Sequence, residues 1–316
     1  MFRVGIDLGG TNIAVGIVDD EYNIVGRGKI KTRAPRPAEE ICDDIAKAVN
    51  MALENANLKI DDIESMGMGV PGAVNPITGN VEFSANLKFN NANVVELLEE
   101  RLGKKAYVDN DANAAALGEM MAGAGKGSNN FIAITLGTGV GGGTIIDGKM
   151  LLGSKFAGGE LGHTVIVHNG IQCGCGRKGC WETYASATGL IRQTKEKMNQ
   201  HKDSIMWELA KGELDNVSGR TAFDAMRKGD KYGLEVVDTY CGYVACGIVN
   251  IINIFQPEVL CNGGGISKEG NNLLDRIQPV LDNECYSRNP VSTILKIAEL
   301  GNDAGIIGAA MLEKIY

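Results

Sequence analysis

Residues 131–150, FIAITLGTGVGGGTIIDGKM, can be laid over residues 3–22, RVGIDLGGTNIAVGIVDDEY, at a constant offset. Leu136-Gly137 falls on Leu8-Gly9, Ile145 on Ile17 and Asp147 on Asp19. Each copy reads as strand, Gly/Thr tip, strand and Asp turn, and in the first copy apolar residues alternate through Val4, Ile6, Leu8 and then Ile13, Val15, Ile17. A duplicated β-hairpin narrows the available folds to two related α/β halves, each with a glycine tip, and a cleft between them. Coincidence in Gly-rich strands is the competing explanation. Length agrees with two halves, since 316 residues is long for a single core. The Gly-rich AGAGKGSNN at 122–130 marks the boundary. We therefore expect an N-terminal α/β domain over 1–122 and a larger C-terminal α/β domain over 123–302. A closing helix at about 303–316 is expected to pack back on the first.

Other elements follow ordinary cues. PAEEICDDIAKAVNMALENA is a helix with acidic residues in its first turn and Ile41, Ile45, Ala48, Val49 and Ala52 on one face. VVELLEERLG is a short helix stopped by Gly103, KKAYVDND is a strand, and a helix begins directly after Asp111. The polar segment from Lys195 to Lys231 is expected to form exposed helices, and a long helix covers LEVVDTYCGYVACGIVNIINIF.

GTGVGG at Gly137–Gly142 has the form GxGxxG, but the dinucleotide-binding version needs a helix immediately afterwards. GTIIDGK follows instead, β-branched and then turning, which makes a hairpin. Two such tips, Gly9-Gly10-Thr11 and Gly137-Thr138-Gly139, each offer backbone N–H groups and a hydroxyl to phosphate oxygens. Asp7, just before the first tip, is placed to hold a hydrated Mg²⁺ between phosphates. A third cluster, Gly263-Gly264-Gly265, follows the strand PEVLCN, where adenine or ribose could lie on bare backbone. For either tip alone, a plain glycine-rich turn is an equal reading.

VDNDANAAALGE puts Asp111 where a strand meets a helix, a position at which Asp is a favoured N-cap; Asp109 competes for either role. Capping and catalysis are compatible, because a helix N-terminus favours an ionised carboxylate able to accept a proton. The segment GHTVIVHNGIQCGCGRKGCWE concentrates Cys173, Cys175 and Cys180. A Cys-x-Cys disulfide would be strained, whereas three thiolates and one imidazole complete a closed tetrahedral zinc site. His163 and His168 both stand close enough in sequence to supply the fourth ligand. Four protein ligands leave no open position, so the zinc is structural. Glu160 and Glu182 flank this clip, which would fix both carboxylates. Solvated surface charges are the alternative for both.

A net charge of −8 argues against nucleic acid and membrane surfaces as partners. Met1-Phe2-Arg3 runs straight into a strand with no leader pattern, and no apolar run approaches the ~20 residues of a membrane span. Cysteines scattered through apolar contexts fit a reducing cytoplasm.

Taken in order, DLGGT, LGTGVGGG, NDAN, GELGH, CGCGRKGC and NGGG resemble the ROK sugar kinases of the actin-like ATPase superfamily, from Asp7 to the DAG at Asp303–Gly305. Within that family the chain looks most like the bacterial glucokinases. The resemblance implies a duplicated actin-like (ribonuclease H-like) α/β fold, ATP with Mg²⁺ as cofactor, and phosphoryl transfer to the 6-hydroxyl of glucose. It implies Asp111 as general base, Asn86 and Asn110 as sugar ligands beside Glu160, His163 and Glu182, and His163 as the fourth zinc ligand. A homodimer is also implied. N-acetylmannosamine or fructose as the accepted sugar, and a non-enzymatic sugar sensor, are the alternatives.

Overall fold

The computed structural model describes residues 1–287 and 292–316. In chain order the strands and helices begin with β1 (Phe2–Leu8), β2 (Asn12–Val18), β3 (Ile24–Lys31), α1 (Ala38–Ala56), β4 (Ile63–Val70), β5 (Ala73–Asn75), β6 (Asn80–Ser84) and β7 (Phe89–Asn93). Next come α2 (Val94–Leu102), β8 (Ala106–Asn110), α3 (Asp111–Ala122), β9 (Phe131–Leu136), β10 (Val140–Ile146) and β11 (Lys149–Met150). The remainder comprises α4 (Glu182–Ala185), α5 (Ala187–Gln200), α6 (Met206–Leu209), α7 (Thr221–Arg227), α8 (Lys231–Phe255), β12 (Val259–Gly263), α9 (Asn271–Glu284), β13 (Ile294–Ile297) and α10 (Ala304–Ala310).

The two hairpins seed two five-stranded sheets with the same arrangement. One runs β3-β2-β1-β4-β8 and the other β11-β10-β9-β12-β13, so in each the hairpin is followed by two later strands added on the far side of its first strand. A third sheet, β5-β6-β7, lies in the segment after the Pro71-Gly72 turn, where the sequence reading placed no strands. The described residues divide into two compact units. Unit 1 is Met1–Ala133, Gly143–Gly159 and Ala298–Tyr316; unit 2 is Ile134–Gly142 and Glu160–Ile297. The division is thus interleaved along the chain, unlike the single boundary at 122–130 expected above.

In unit 1 the first sheet is packed by α1 through Ile41, Ile45, Ala48 and Ala52, all fully buried, as their helical spacing predicts. The last segment returns to this unit, where α10 lies against β1, β4 and α3. Glycines make that close approach possible: a Cβ on Gly5 would overlap the carbonyl oxygen of Ile306, and one on Gly67 that of Ala309. Arg3 fastens the same segment from the strand side, its buried guanidinium bonding to Asp20 (3.0 Å), Glu64 (2.6 Å) and Glu313. Gly5→Ala is expected to cost about 3 kcal/mol, the upper part of the usual overpacking range, because the obstacle is backbone and cannot rotate away. A urea midpoint equal to that of the wild type would contradict this packing.

Unit 2 differs from expectation in two places. The segment around Lys195–Lys231 is not merely exposed: Met198, Met206, Ala210 and Phe223 are fully buried, so α5, α6 and α7 contribute to the core. Helix α8, with a window of mean hydropathy 1.3, is long and apolar enough by length and composition to cross a membrane, contrary to the reading that no run approaches that length. Its apolarity has a core explanation, since 56% of that window is buried and Val237, Tyr240, Cys241, Val244 and Ile248 form one continuous inward stripe.

Candidate active site and metal centre

In unit 1 the first glycine tip joins β1 to β2. Gly9 N–H donates to the carbonyl of Asn12 (2.9 Å), and the buried Thr32 braces the tip twice, through its hydroxyl to Gly9 O (2.6 Å) and its N–H to Thr11 O (3.0 Å). Gly10 lies beside Asn86, whose Cβ would be 3.7 Å from a Cβ placed on the glycine. A cavity of about 500 Å³ opens along this tip, lined by Asp7, Gly9, Gly10, Thr11, Lys29 and Asp303 among others. Cross-strand register sets Asp7, Gly69 and Asp109 in one row across β1, β4 and β8.

The β8–α3 junction assigns the cap differently from the sequence reading. Asn110 is the N-cap: its backbone is extended (φ −61°, ψ 147°) and its side-chain oxygen accepts from Ala112 N–H at 2.8 Å. Its amide also donates to Gly72 O (3.0 Å), which ties the Pro71-Gly72 turn to the junction. Asp111 is consequently the first helical residue, half-buried, with one carboxylate oxygen accepting from Ala112 N–H at 2.9 Å. Burial pushes its carboxyl above the ordinary value, partly offset by that N–H. Asp7 is raised too, by burial first and then by the charge of Asp111. A partly desolvated carboxylate such as Asp7, beside a phosphate-sized glycine turn and near a second acid, is a donor suited to a divalent cation.

In unit 2 the second tip, Gly137-Thr138-Gly139, is fixed by α5: Ala187 N–H donates to Gly137 O (2.8 Å) and the Thr188 hydroxyl to Thr138 O (2.7 Å). The third glycine cluster comes directly against it. Gly264, with φ +87°, crosses the end of β9 so closely that a Cβ would meet Leu136 O at 2.6 Å. Glu182 lies under the tip, its Oε2 accepting from Val140 N–H at 3.0 Å, and a Cβ on Gly139 would overlap that oxygen. A second cavity, about 440 Å³, is lined by Thr138, Gly139, Gly174, Glu182, Thr188 and Arg192 among others.

The cysteine clip is compact. The donor atoms of His163, Cys173, Cys175 and Cys180 all lie within 4.8 Å of one another, with Cys173 Sγ 3.7 Å from His163 Nδ1 and Cys175 Sγ 3.7 Å from Cys180 Sγ. A regular tetrahedron with Zn–S bonds of ~2.3 Å has edges of about 3.75 Å, which the two 3.7 Å separations match, so the group is compatible with zinc. Burial raises the Cys173 and Cys180 thiols, while the backbone N–H of Arg177 lowers Cys175. Gly176 (φ +92°) and Gly179 (φ +81°) supply the left-handed turns that bend so short a loop around one point. The choice between histidines falls on His163; His168 is exposed and pairs with Asn169 instead. His163 presents Nδ1 to the sulfurs, leaving Nε2 for another partner. Glu160 is exposed at the start of the turn that carries His163, and Glu182 Oε1 stands 3.7 Å from Cys173 Sγ.

Sequence reasoning singled out no role for Thr32 in bracing the first tip. It weighed Asp109 only as a rival to Asp111, whereas the structure makes it a buried acceptor for Asn110 N–H (2.6 Å), the Asn113 amide (2.9 Å) and the Tyr316 hydroxyl (2.7 Å). No local pattern marks Tyr316, because its partner is 207 positions away.

Comparison with known proteins identifies the family. The sequence model of the ROK family matches residues 3–315. The chain is 38% identical over 315 residues to a glucokinase of Streptomyces coelicolor, covering 98% of this chain and 97% of that one. It is 37% identical over 317 residues to a glucokinase of Thermotoga maritima, covering 98% and 96%. A crystal structure of a ROK family glucokinase from Streptomyces griseus in complex with glucose and AMPPNP superposes with a TM-score of 0.79 at 36% identity, covering 99% of both chains. Duplicated sheet order, paired glycine tips and full-length similarity converge on one assignment: the chain belongs to the ROK family.

Proposed function

We propose that this protein is a glucokinase, transferring the terminal phosphoryl group of ATP to the 6-hydroxyl of glucose with Asp111 as general base. The observation that carries the chemistry is the division of labour at the β8–α3 junction. Asn110 caps the helix, so the Asp111 carboxylate keeps lone pairs for an incoming hydroxyl proton, and its burial moves it towards a stronger base. Full-length identity to curated glucokinases supports the choice of sugar.

The glycine backbones at Gly9–Thr11, Gly137–Gly139 and Gly263–Gly265 take the nucleotide. Asp7 holds the magnesium ion, which neutralises phosphate charge when bound. Glucose hydroxyls are held by Asn86, by the remaining N–H of the Asn110 amide, by Glu160, by His163 Nε2 and by Glu182. The Glu182 carboxylate can accept a hydroxyl while keeping Val140 N–H, having more lone pairs than that one bond uses. Zinc on His163, Cys173, Cys175 and Cys180 is structural: it fixes the ring of His163 and the ends of the loop that bear the two glutamates. We place the enzyme in the cytoplasm, because cysteines outside the clip are scattered through apolar contexts as in proteins of a reducing compartment. We extend the reading to a homodimer on the family resemblance.

The test is ADP release from Mg-ATP with zinc-loaded protein across glucose, N-acetylmannosamine, fructose, mannose and N-acetylglucosamine. Glucose is expected to give kcat/KM at least about tenfold above the others, a ratio within reach of one well-placed hydrogen-bonding group. Preference for another sugar would keep the mechanism and replace the substrate. Absence of sugar-dependent ADP would refute the kinase.

A further inference from the structure

We propose that Asp109 and Tyr316 form a positioning pair that aims the Asp111 carboxylate, with the C-terminal segment holding the catalytic junction from behind. This rests on the reading of Asp111 as the base. Asp109 is 1% exposed, and both oxygens of its carboxylate accept hydrogen bonds, three in all. Oδ1 accepts from the N–H of Asn110 at 2.6 Å and from the Asn113 amide at 2.9 Å; Oδ2 accepts from the Tyr316 hydroxyl at 2.7 Å. The first of these bonds fixes the peptide that joins β8 to the cap. The second reaches the first turn of α3, so Asp109 spans the junction and Asp111 sits between its two attachment points.

The pair is suited to orienting and not to chemistry. Asp109 has no lone pair turned to solvent and burial raises its carboxyl, while the three donors pull the other way. Tyr316 is held protonated by burial and by the neighbouring Asp109 charge, so its hydroxyl stays a donor throughout the working pH range. Tyr316 is itself held by its N–H to Leu312 O (3.1 Å), on the turn whose Glu313 meets the buried Arg3. A chain of bonds therefore runs from the buried end of β1, through the C-terminal turn, to the peptide before the base. Loss of the hydroxyl frees Asp109 Oδ2 and lets the junction relax. Displacements well under an ångström at a reacting carboxylate lower turnover without removing a single substrate contact.

The experiment compares wild type, Tyr316→Phe, Asp109→Asn, the double variant and Asp111→Asn by steady-state kinetics, with direct glucose binding by calorimetry and Tm for each. Tyr316→Phe is expected to lower kcat about tenfold, with KM and Kd for glucose within twofold and Tm within a few degrees. Asp109→Asn should fall at least as far, and the double variant no further than Asp109→Asn alone, because the two residues act as one unit. A wild-type kcat in Tyr316→Phe overturns the inference, as does a fall that multiplies independently with that of Asp109→Asn. A loss of active protein that tracks Tm alone also overturns it. If Asp109→Asn does not fold, Tyr316→Phe decides the matter by its kcat against KM split. Asp111→Asn separates the two claims: retained turnover there refutes the base, whereas lost turnover there with an unaffected Tyr316→Phe refutes only the positioning pair.

Discussion

Asp111→Asn is expected to lower kcat by about 10²–10⁴-fold, the usual contribution of a positioned general base, while glucose still binds within a few-fold of wild type. The substitution is conservative where structure is concerned. An asparagine oxygen can still accept from Ala112 N–H, and the cap belongs to Asn110, so α3 keeps its start. What is lost is the proton acceptor. The wild-type pH profile carries a second signature. Burial raises Asp111, and burial with the Asp111 charge raises Asp7, so the pair titrates above the ordinary carboxylate value of ~4. A base works only when ionised, so kcat/KM should fall as pH drops through that raised region, and the residual activity of Asp111→Asn should lack the Asp111 contribution to this limb. Turnover close to wild type in the variant would remove Asp111 from the mechanism.

Removal of the zinc proposed for the His163–Cys180 clip should have the largest effect on the fold. Structural zinc sites bind with apparent free energies of ~10 kcal/mol or more at neutral pH, and much of that holds the loop together. Chelation, or Cys180→Ser, is expected to unfold the segment around 163–182 and lower Tm by about 10 °C or more, with zinc restoring the chelated protein but not the variant. Trp181 reports the event. Its ring is fully buried, its indole N–H donates to Tyr243 O (2.8 Å) and its backbone N–H to Thr164 O (2.7 Å), so its fluorescence should shift to the red. Because Glu182 follows Trp181 and accepts from Val140 N–H, KM for ATP should rise with the loss of metal. Metal-free protein with an unchanged Tm and unchanged fluorescence would show the clip to be dispensable.

What the sequence made legible were features confined to short windows. The hairpin repeat pointed to two related α/β halves because a glycine tip between alternating strands is a local pattern; the matching strand order of the two sheets came from the structure. The cysteine clip was open to reading because its donor residues are close in sequence, and the structure groups their donor atoms within 4.8 Å of one another. The choice of cap at 110 or 111 was not legible: both residue types cap well, and the decision rests on the backbone angles of one residue. Nor was the raised carboxyl at Asp111, since the expectation of an easily ionised helix-terminal acid ignored desolvation by the surrounding unit. Tyr316 on Asp109, Thr32 on Gly9 and Glu182 on Val140 are partners brought together by the whole fold. Alternation and spacing carry no information about them.

The return of Ala298–Tyr316 to unit 1 also governs the order in which the molecule can be finished. At synthesis rates of ~5–20 residues per second, roughly 10–40 s separate the appearance of Gly118 from that of Ala304. Throughout that interval the backbone surface over Gly5 and Gly67 has no helix to cover it, and Asp109 has no hydroxyl to meet. The amino-terminal half therefore cannot mature first and wait for its partner, as independent domains do. It stays an open template until Ala298–Tyr316 has been made, and only then can Asp109 gain its third donor.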